Sequence, residues 1–344
     1  MTAVALYRKY RPETFDDLVG QDSVVSLLKS AIDKENITHA YLFVGSKGVG
    51  KTTTARIFAK ELGVSDKDLY ELDAASNRKI DNFRDLNDSV HSLPFESKYK
   101  LYIIDEVHML TKEAFNAFLK TLEEPPEHVI FILATTEAEK LPDTIKSRCQ
   151  IVNFQKANEK AITTALQNIA KHENLHIDPD AITAISIMSE GSFRDAIGML
   201  QKAITVSDGK TISAKDVEKS MNIAPVSEVL NFLSHIHSQD LKSALKQLRE
   251  LSKNNINPEY FIQTLIYTTR QIIIMRYQND STNAQLAELY TSDTFSKLQA
   301  LSKEALNINS KLLRAMIESL ADMQYLNNGF LSLELLLFDY LKNK

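Results

Sequence analysis

Eight consecutive residues, Gly45-Ser46-Lys47-Gly48-Val49-Gly50-Lys51-Thr52, carry the most specific chemistry in this 344-residue chain. They fit G-x-x-x-x-G-K-[ST], the spacing that folds backbone N–H groups around a phosphate at the start of a helix. The helix N-terminus adds partial positive charge, Lys51 would reach the β and γ oxygens, and the Thr52 hydroxyl would ligate Mg²⁺. With Thr53 in the same turn, these residues are the candidate binding set for a nucleoside triphosphate. A glycine-rich turn could match by accident, but the glycine usage argues otherwise. The chain has 9 glycines, where average usage would supply about 24, and a third of them crowd between Gly45 and Gly50. Hydrolysis needs a second element. Leu101-Tyr102-Ile103-Ile104-Asp105-Glu106 is an apolar run ending in two carboxylates. Asp105 would hold Mg²⁺ through its water shell and Glu106 would polarise the attacking water. Strands often end in acidic residues, so this pattern gains its weight from the phosphate loop beside it.

These groups need a frame. Tyr41–Val44 reads as a buried strand leading into the loop, and Lys51–Leu62 as an apolar-periodic helix leading out of it. Leu69–Asp73, Leu101–Ile104, Val129–Ala134 and Ile151–Phe154 read as four further strands. Thr111–Leu122 is the clearest helix between them, with Thr111 as N-cap and Pro125-Pro126 enforcing the stop. Five β-rich runs separated by helices predict a parallel α/β sheet covered on both faces, over residues 1–155. Residues 156–222 read as a small helical domain without strands, broken at Asp178-Pro179, Glu190-Gly191-Ser192 and Asp208-Gly209. Residues 223–344 read as an all-α domain, in which Leu241, Leu245 and Leu248 share one face and Ile262, Leu265, Ile266, Thr269 and Ile273 another.

Composition narrows the classes. With 44% hydrophobic and 25% charged residues the chain is ordinary for a globular protein. No apolar run approaches the roughly 18–20 residues that span a bilayer, and Met1–Arg11 lacks a signal-peptide core, so a cytoplasmic protein is expected. One cysteine, Cys149, provides neither a disulfide framework nor a Cys-rich zinc site. The net charge of −5 argues against a generally basic nucleic-acid binder, though not against a local basic track.

A longer series of strings is more specific than any single motif. Tyr7-Arg8-Lys9-Tyr10-Arg11-Pro12, Phe15-Asp16-Asp17-Leu18-Val19-Gly20-Gln21 and the phosphate loop begin it. Asp105-Glu106-Val107-His108-Met109-Leu110, Leu119 through Pro126, Ala134-Thr135-Thr136 and Ser147-Arg148-Cys149 continue it in order. Together they closely resemble the gamma/tau subunits of bacterial DNA polymerase III, the motors of the sliding-clamp loader, in the branch of AAA+ ATPases that also holds replication factor C. The resemblance is dense through Arg194 and more diffuse to the C-terminus. It implies a P-loop AAA+ domain with a five-stranded sheet, a helical lid and an all-α collar. It also implies that Thr136 is a polar sensor of the γ-phosphate or attacking water, that Arg148 is an arginine finger acting on a neighbouring subunit's ATP, and that Arg194 is a second sensor. Without the resemblance, a capping threonine is the favoured reading of Thr136, a surface salt bridge is the plain reading of Arg148, and an exposed helix arginine is the bland alternative for Arg194. Ser192 and Asp195 read as a capping box before Arg194. The family places Tyr7–Pro12 near the adenine pocket, and His39 and His108 read as structural.

The implied function is an ATPase that loads the sliding clamp onto primer–template DNA within a hetero-pentamer. Its partners would be the delta and delta-prime subunits, the clamp and the polymerase core; its ligands would be ATP and Mg²⁺. Arg78, Lys79 and Arg84 are candidates for a DNA-facing surface, with solvated helix charge the equal alternative. A non-hydrolysing loader subunit and a different AAA+ DNA-remodelling ATPase are the rival readings. Two departures stand out. Glu61–Leu72 has no cysteine and is too short for the zinc module that gamma/tau subunits usually carry, so no zinc is expected. The sequence given ends at Lys344, so a gamma-like form without the tau tail is expected.

Overall fold

The apolar runs of the first half become five parallel strands in the computed structural model, which describes residues 5–76, 86, 89–277, 292–326 and 329–342. They are β1 (Ala40–Val44), β2 (Leu69–Asp73), β3 (Lys100–Asp105), β4 (Val129–Thr135) and β5 (Gln150–Asn153), in spatial order β2-β3-β4-β1-β5. Each expected run is a strand, with ends moved by at most a residue. Tyr41, Leu42 and Phe43 of β1, Leu101–Ile104 of β3 and Ile130–Ala134 of β4 are all buried. Such runs show no alternation because helices cover both faces of a parallel sheet. One face packs Val24 and Leu28 of α2 (Asp22–Asp33) and Phe58 of α3 (Lys51–Glu61) against Phe43, Ile103 and Ile132. The other packs Phe115, Phe118 and Leu122 of α4 (Lys112–Glu123) against Leu42, Tyr102 and Phe131. A four-residue helix, α1 (Leu6–Lys9), precedes them, and another, α5 (Asp143–Lys146), precedes β5.

The sheet order decides where function can sit. Because β3, β4 and β1 are consecutive neighbours, the loops that follow Asp105, Thr135 and Val44 leave the sheet side by side at its carboxyl edge. Thr111 caps α4 as expected, its Oγ1 accepting from Ala114 N at 3.2 Å. The helix ends just before Pro125-Pro126.

The chain divides into two compact units, residues up to Ala161 with Gly191–Arg194, and Ile162–Glu190 with Asp195 onward. The first helices after β5 are α6 (Glu159–His172), α7 (Pro179–Met188), α8 (Phe193–Val206) and α9 (Ala214–Met221). The expected breaks hold: Asp178 precedes Pro179 at the first turn of α7, and Glu190 and Gly191 both have positive φ. The region is not free of strands, however. β6 (His176–Ile177) and β7 (Thr211–Ile212) pair in parallel. Two residues are too few to show a period, so the sequence carries no strand signal there.

Among the described residues six further helices belong to the second unit: α10 (Val226–His237), α11 (Leu241–Lys253), α12 (Pro258–Met275), α13 (Ser292–Glu304), α14 (Ser310–Asp322) and α15 (Gly329–Lys342). Their core includes Phe232, Leu248, Phe261, Leu265, Leu312, Leu333 and Leu337. Asp240 and Asn257 cap α11 and α12, and Asn309 caps α14. On α12 the deepest line is Ile262, Leu265, Thr269 and Ile272, with Ile273 half-buried. At its C-terminal end Arg276 donates to the carbonyls of Ser302 (2.7 Å) and Ile308 (2.6 Å), and also to that of Ala305. No described helix is long and apolar enough to cross a membrane.

Candidate nucleotide site

The phosphate loop runs from the end of β1 into α3, as the motif requires. Gly50 takes φ 107° as the residue before the helix, a conformation L side chains rarely adopt. Gly48 has φ 76°, and a Cβ there would also lie 2.0 Å from the Ser192 hydroxyl. Its carbonyl accepts from Phe193 N at 3.0 Å. The Gly191–Arg194 segment is thus built onto the loop, which no spacing in the sequence announces. Lys51 is buried and donates from Nζ to Gly45 O (2.7 Å) and Ser46 O (2.9 Å). Burial pushes its amine below the ordinary lysine range, against the pull of Glu106 and Asp105. An ammonium whose partners are carbonyl oxygens of its own loop is placed to exchange them for the stronger, anionic oxygens of a phosphate.

Thr52 and Asp105 meet, with Thr52 Oγ1 donating to Asp105 Oδ2 at 2.7 Å. Hydroxyl and carboxylate are hard oxygen donors, which suit Mg²⁺ and fit the ion implied by the resemblance. Glu106 follows with φ 49° and ψ 44°, the left-handed region for a residue that is not glycine. Its amide donates to Asp105 Oδ1 at 2.9 Å. Thr136 lies one residue beyond β4, and its Oγ1 donates to Glu106 Oε2 at 3.3 Å. The residue ending the strand is Thr135, a one-residue correction to the expected boundary. Lys51, Thr52, Asp105, Glu106 and Thr136 are therefore brought together from the start of α3 and the carboxyl ends of β3 and β4.

Two further residues reach this region from the N-terminal segment. Arg11 Nε donates to Thr53 Oγ1 at 3.0 Å. Burial, then the neighbouring charge of Arg56, lowers its pKa, while Glu71 and Asp105 oppose that. Arg56 pairs in turn with Glu71. The Arg194 guanidinium stands 5.0 Å from the Tyr7 ring centroid. Hydrogen bonds from Arg194 and then Arg8 hold the Tyr7 phenol below its ordinary range. The family string Tyr7–Pro12 thus carries two contacts to the site that sequence reasoning assigned only to a region. Arg148 is elsewhere: it donates to Thr144 O (2.9 Å) and to Glu123 Oε1 (2.6 Å). Arg78, Lys79 and Arg84 lie outside the described residues.

With that geometry in view, comparisons with known proteins are informative. A family model described as DNA polymerase III, delta subunit, matches residues 20–75 and 64–158. A second, described as DNA polymerase III clamp loader subunit, ATPase lid domain, matches residues 161–209. DNA polymerase III subunit gamma of Buchnera aphidicola subsp. Baizongia pistaciae is 38% identical over 79% of this chain and 79% of its own length. The gamma subunit of Buchnera aphidicola subsp. Acyrthosiphon pisum is 32% identical over 90% of this chain and 98% of its own length. The chain belongs to the gamma/tau family of bacterial DNA polymerase III subunits. Against the tau subunits of Bacillus subtilis and Escherichia coli, 37% and 36% identical, it spans only 53% and 46% of the relative's length. Among solved structures, the Thermotoga maritima RuvB Holliday junction branch migration motor aligns with a TM-score of 0.53 at 24% identity, covering 66% of this chain and 79% of that one. That likeness shows the AAA+ fold alone.

Family membership explains which signals sequence reasoning could use. The gamma/tau strings locate Lys51 and Thr52 at the start of α3, Asp105 at the end of β3, and Glu106 and Thr136 just after β3 and β4. They do not reveal the left-handed backbone at Glu106, the packing of Ser192 on Gly48, or the partners of His108. The only cue to those was that His108 falls in the same string as Glu106.

Proposed function

We propose that this gamma/tau-family chain is an ATP-driven motor of the DNA polymerase III clamp loader, loading the sliding clamp onto primed DNA in the cytoplasm. The observation that carries this reading is the convergence of Lys51, the Thr52–Asp105 pair and the Glu106–Thr136 pair at one edge of the sheet. Backbone amides of Gly45–Gly50 and the start of α3 would bind the phosphates, with Lys51 between the β and γ groups and Thr53 supporting the turn. Thr52 and Asp105 would hold the Mg²⁺ that accompanies ATP, which supplies charge neutralisation at the transferred phosphoryl group. Glu106, hydrogen-bonded by Thr136, would accept hydrogen bonding from a water and orient it toward the γ-phosphorus. Arg194 would exchange its contact with Tyr7 for the γ-phosphate. Arg148, which is partly exposed and paired with Glu123, would release that exposed pair, worth about 0–1 kcal/mol, to serve a neighbouring subunit's ATP. The assembly would be a hetero-pentamer with delta and delta-prime subunits, gripping clamp and primer–template DNA and associated with the polymerase core.

The test is steady-state ATP hydrolysis by the assembled complex, with and without clamp and primed DNA, in parent, Glu106→Gln and Arg148→Ala forms. Turnover stimulated by clamp and DNA and lost in both variants, with ATP still bound, is the expected result. Parental turnover in Glu106→Gln would show a loader subunit that does not itself hydrolyse ATP. Stimulation by branched DNA without any clamp would favour a remodelling motor instead.

A further inference from the structure

His108 has more partners than a structural histidine in a loop requires. Its side chain is 6% exposed and polar groups surround both ring nitrogens. Nε2 lies 3.1 Å from Glu137 Oε1, and Nδ1 lies 3.0 Å from Thr135 Oγ1 and 3.5 Å from Glu106 Oε2. Thr135 Oγ1 also accepts from Glu137 N at 3.0 Å. Glu137 is held below the usual carboxylate range, first by its hydrogen bond from Lys140 and also by the charge of His108. An ionised carboxylate only accepts, so Nε2–H donates a hydrogen bond to Glu137, and Nδ1 is left to accept from the Thr135 hydroxyl, with Glu106 Oε2 beside it. The ring is thereby fixed at both nitrogens to the end of β4 and the residues just after it.

We infer that His108 is a positioning residue for Glu106. The Glu106 carboxylate has three rotatable bonds and sits on a left-handed residue, so its backbone does not by itself aim it. Its Oε2 is bracketed by Thr136 Oγ1 at 3.3 Å and His108 Nδ1 at 3.5 Å. Both brackets are tied to the same short segment, Thr135–Glu137, so the Thr136 hydroxyl holds the carboxylate by donating to it while the fixed ring closes off the space on its other side. Without the ring, the carboxylate gains room to swing from the position a water must share with it. A group held only loosely loses much of its catalytic effect even when its chemistry is intact. The polar partners of His108 are Thr135, Glu137 and Glu106, all outside the phosphate loop, so ATP binding is not expected to depend on it.

This inference rests on the reading of Glu106 as the group that orients water, and the experiment separates the two. Turnover, ATP dissociation constant and melting temperature are measured for the full chain in its complex as Glu106→Gln, His108→Ala, His108→Asn, His108→Gln and the Glu106→Gln/His108→Ala double variant. His108→Ala is expected to slow turnover about ten- to a hundredfold with the ATP dissociation constant within about twofold. Asparagine places a polar atom near the Nδ1 position and glutamine near Nε2, so His108→Asn should recover more rate than His108→Gln. The double variant should turn over no more slowly than Glu106→Gln alone. Inactive Glu106→Gln beside fully active His108→Ala would overturn the inference and leave the reading of Glu106 standing. If His108→Ala does not fold, equal rates in the folded asparagine and glutamine variants would overturn it too. Active Glu106→Gln would remove the reading of Glu106, and this inference with it.

Discussion

Two basic side chains, one in each unit, do the same thing with opposite consequences. Lys51 donates to two carbonyl oxygens of the phosphate loop, and Arg276 to three at the turn following α13. Gly45 and Ser46 are half-buried in a loop whose backbone is shaped by positive-φ glycines, so their carbonyls can pass to water and Lys51 to a phosphate. The Ser302, Ala305 and Ile308 carbonyls close a helix end whose neighbours, Ala305 and Ile308, are fully buried. Buried carbonyls have little access to water in place of the guanidinium, although that of Ala305 also accepts from Ile308 N at 2.9 Å. A cation contributes to function where its partners can be exchanged, and to stability where they cannot.

Substitutions at three positions sharpen or break that contrast. Lys51→Ala should have the largest effect, weakening ATP binding by at least about a hundredfold because a buried charge facing the phosphates is gone. The unliganded protein should unfold within about 1 kcal/mol of the parent, since water can serve the two freed carbonyls; isothermal titration and denaturant melts check both halves. Asp68 tests whether the distinction follows the unit or the partner. It is fully buried in the α/β unit and accepts from the amides of Phe95 (2.6 Å), Glu96 (2.9 Å) and Ser97 (2.8 Å). Burial opposes its ionisation, but those amides prevail and hold the carboxyl far below the usual carboxylate range. Asp68→Ala should therefore destabilise by roughly 2–4 kcal/mol, with ATP affinity little changed. Because the folded-state pKa is depressed, Asp68 stabilises fully above its unfolded value near 3.8 and loses that contribution as pH falls below it. The parent but not the variant should show this acid-side loss in melts from pH 6 to pH 2. Arg276→Ala should cost about 1.5–3 kcal/mol and leave ATP binding unchanged, with Arg276→Lys recovering part of it. A loss of ATP affinity equal to that of Lys51→Ala would break the comparison.

Legibility in the sequence followed the same line. Five strands, the phosphate-loop helix and α4 were readable because apolar runs, glycine placement and a capping threonine are local signals. So was the candidate set Lys51, Thr52, Asp105, Glu106. The β6–β7 pair was not, since two-residue strands form only when distant backbone segments meet. Thr136 was named from the family strings, but its hydroxyl became part of the site through the pairing of β3 with β4. Arg11 on Thr53 and Ser192 on Gly48 join residues far apart in the chain, and nothing in their own neighbourhoods predicts the contact. His108 was read as structural because a lone histidine two residues after Glu106 carries no directional information until its two nitrogens have partners.

Taken alone, the sequence determined the local conformations and the identity of the reactive groups: which backbone turns around a phosphate, which strand ends in two carboxylates, and which family the strings belong to. Tertiary structure decided which of those groups share a site, because β3, β4 and β1 become neighbours only in the folded sheet. It also decided how Glu106 is aimed. A carboxylate's direction depends on the groups that bond it, and the Thr136 hydroxyl arrives from the end of another strand.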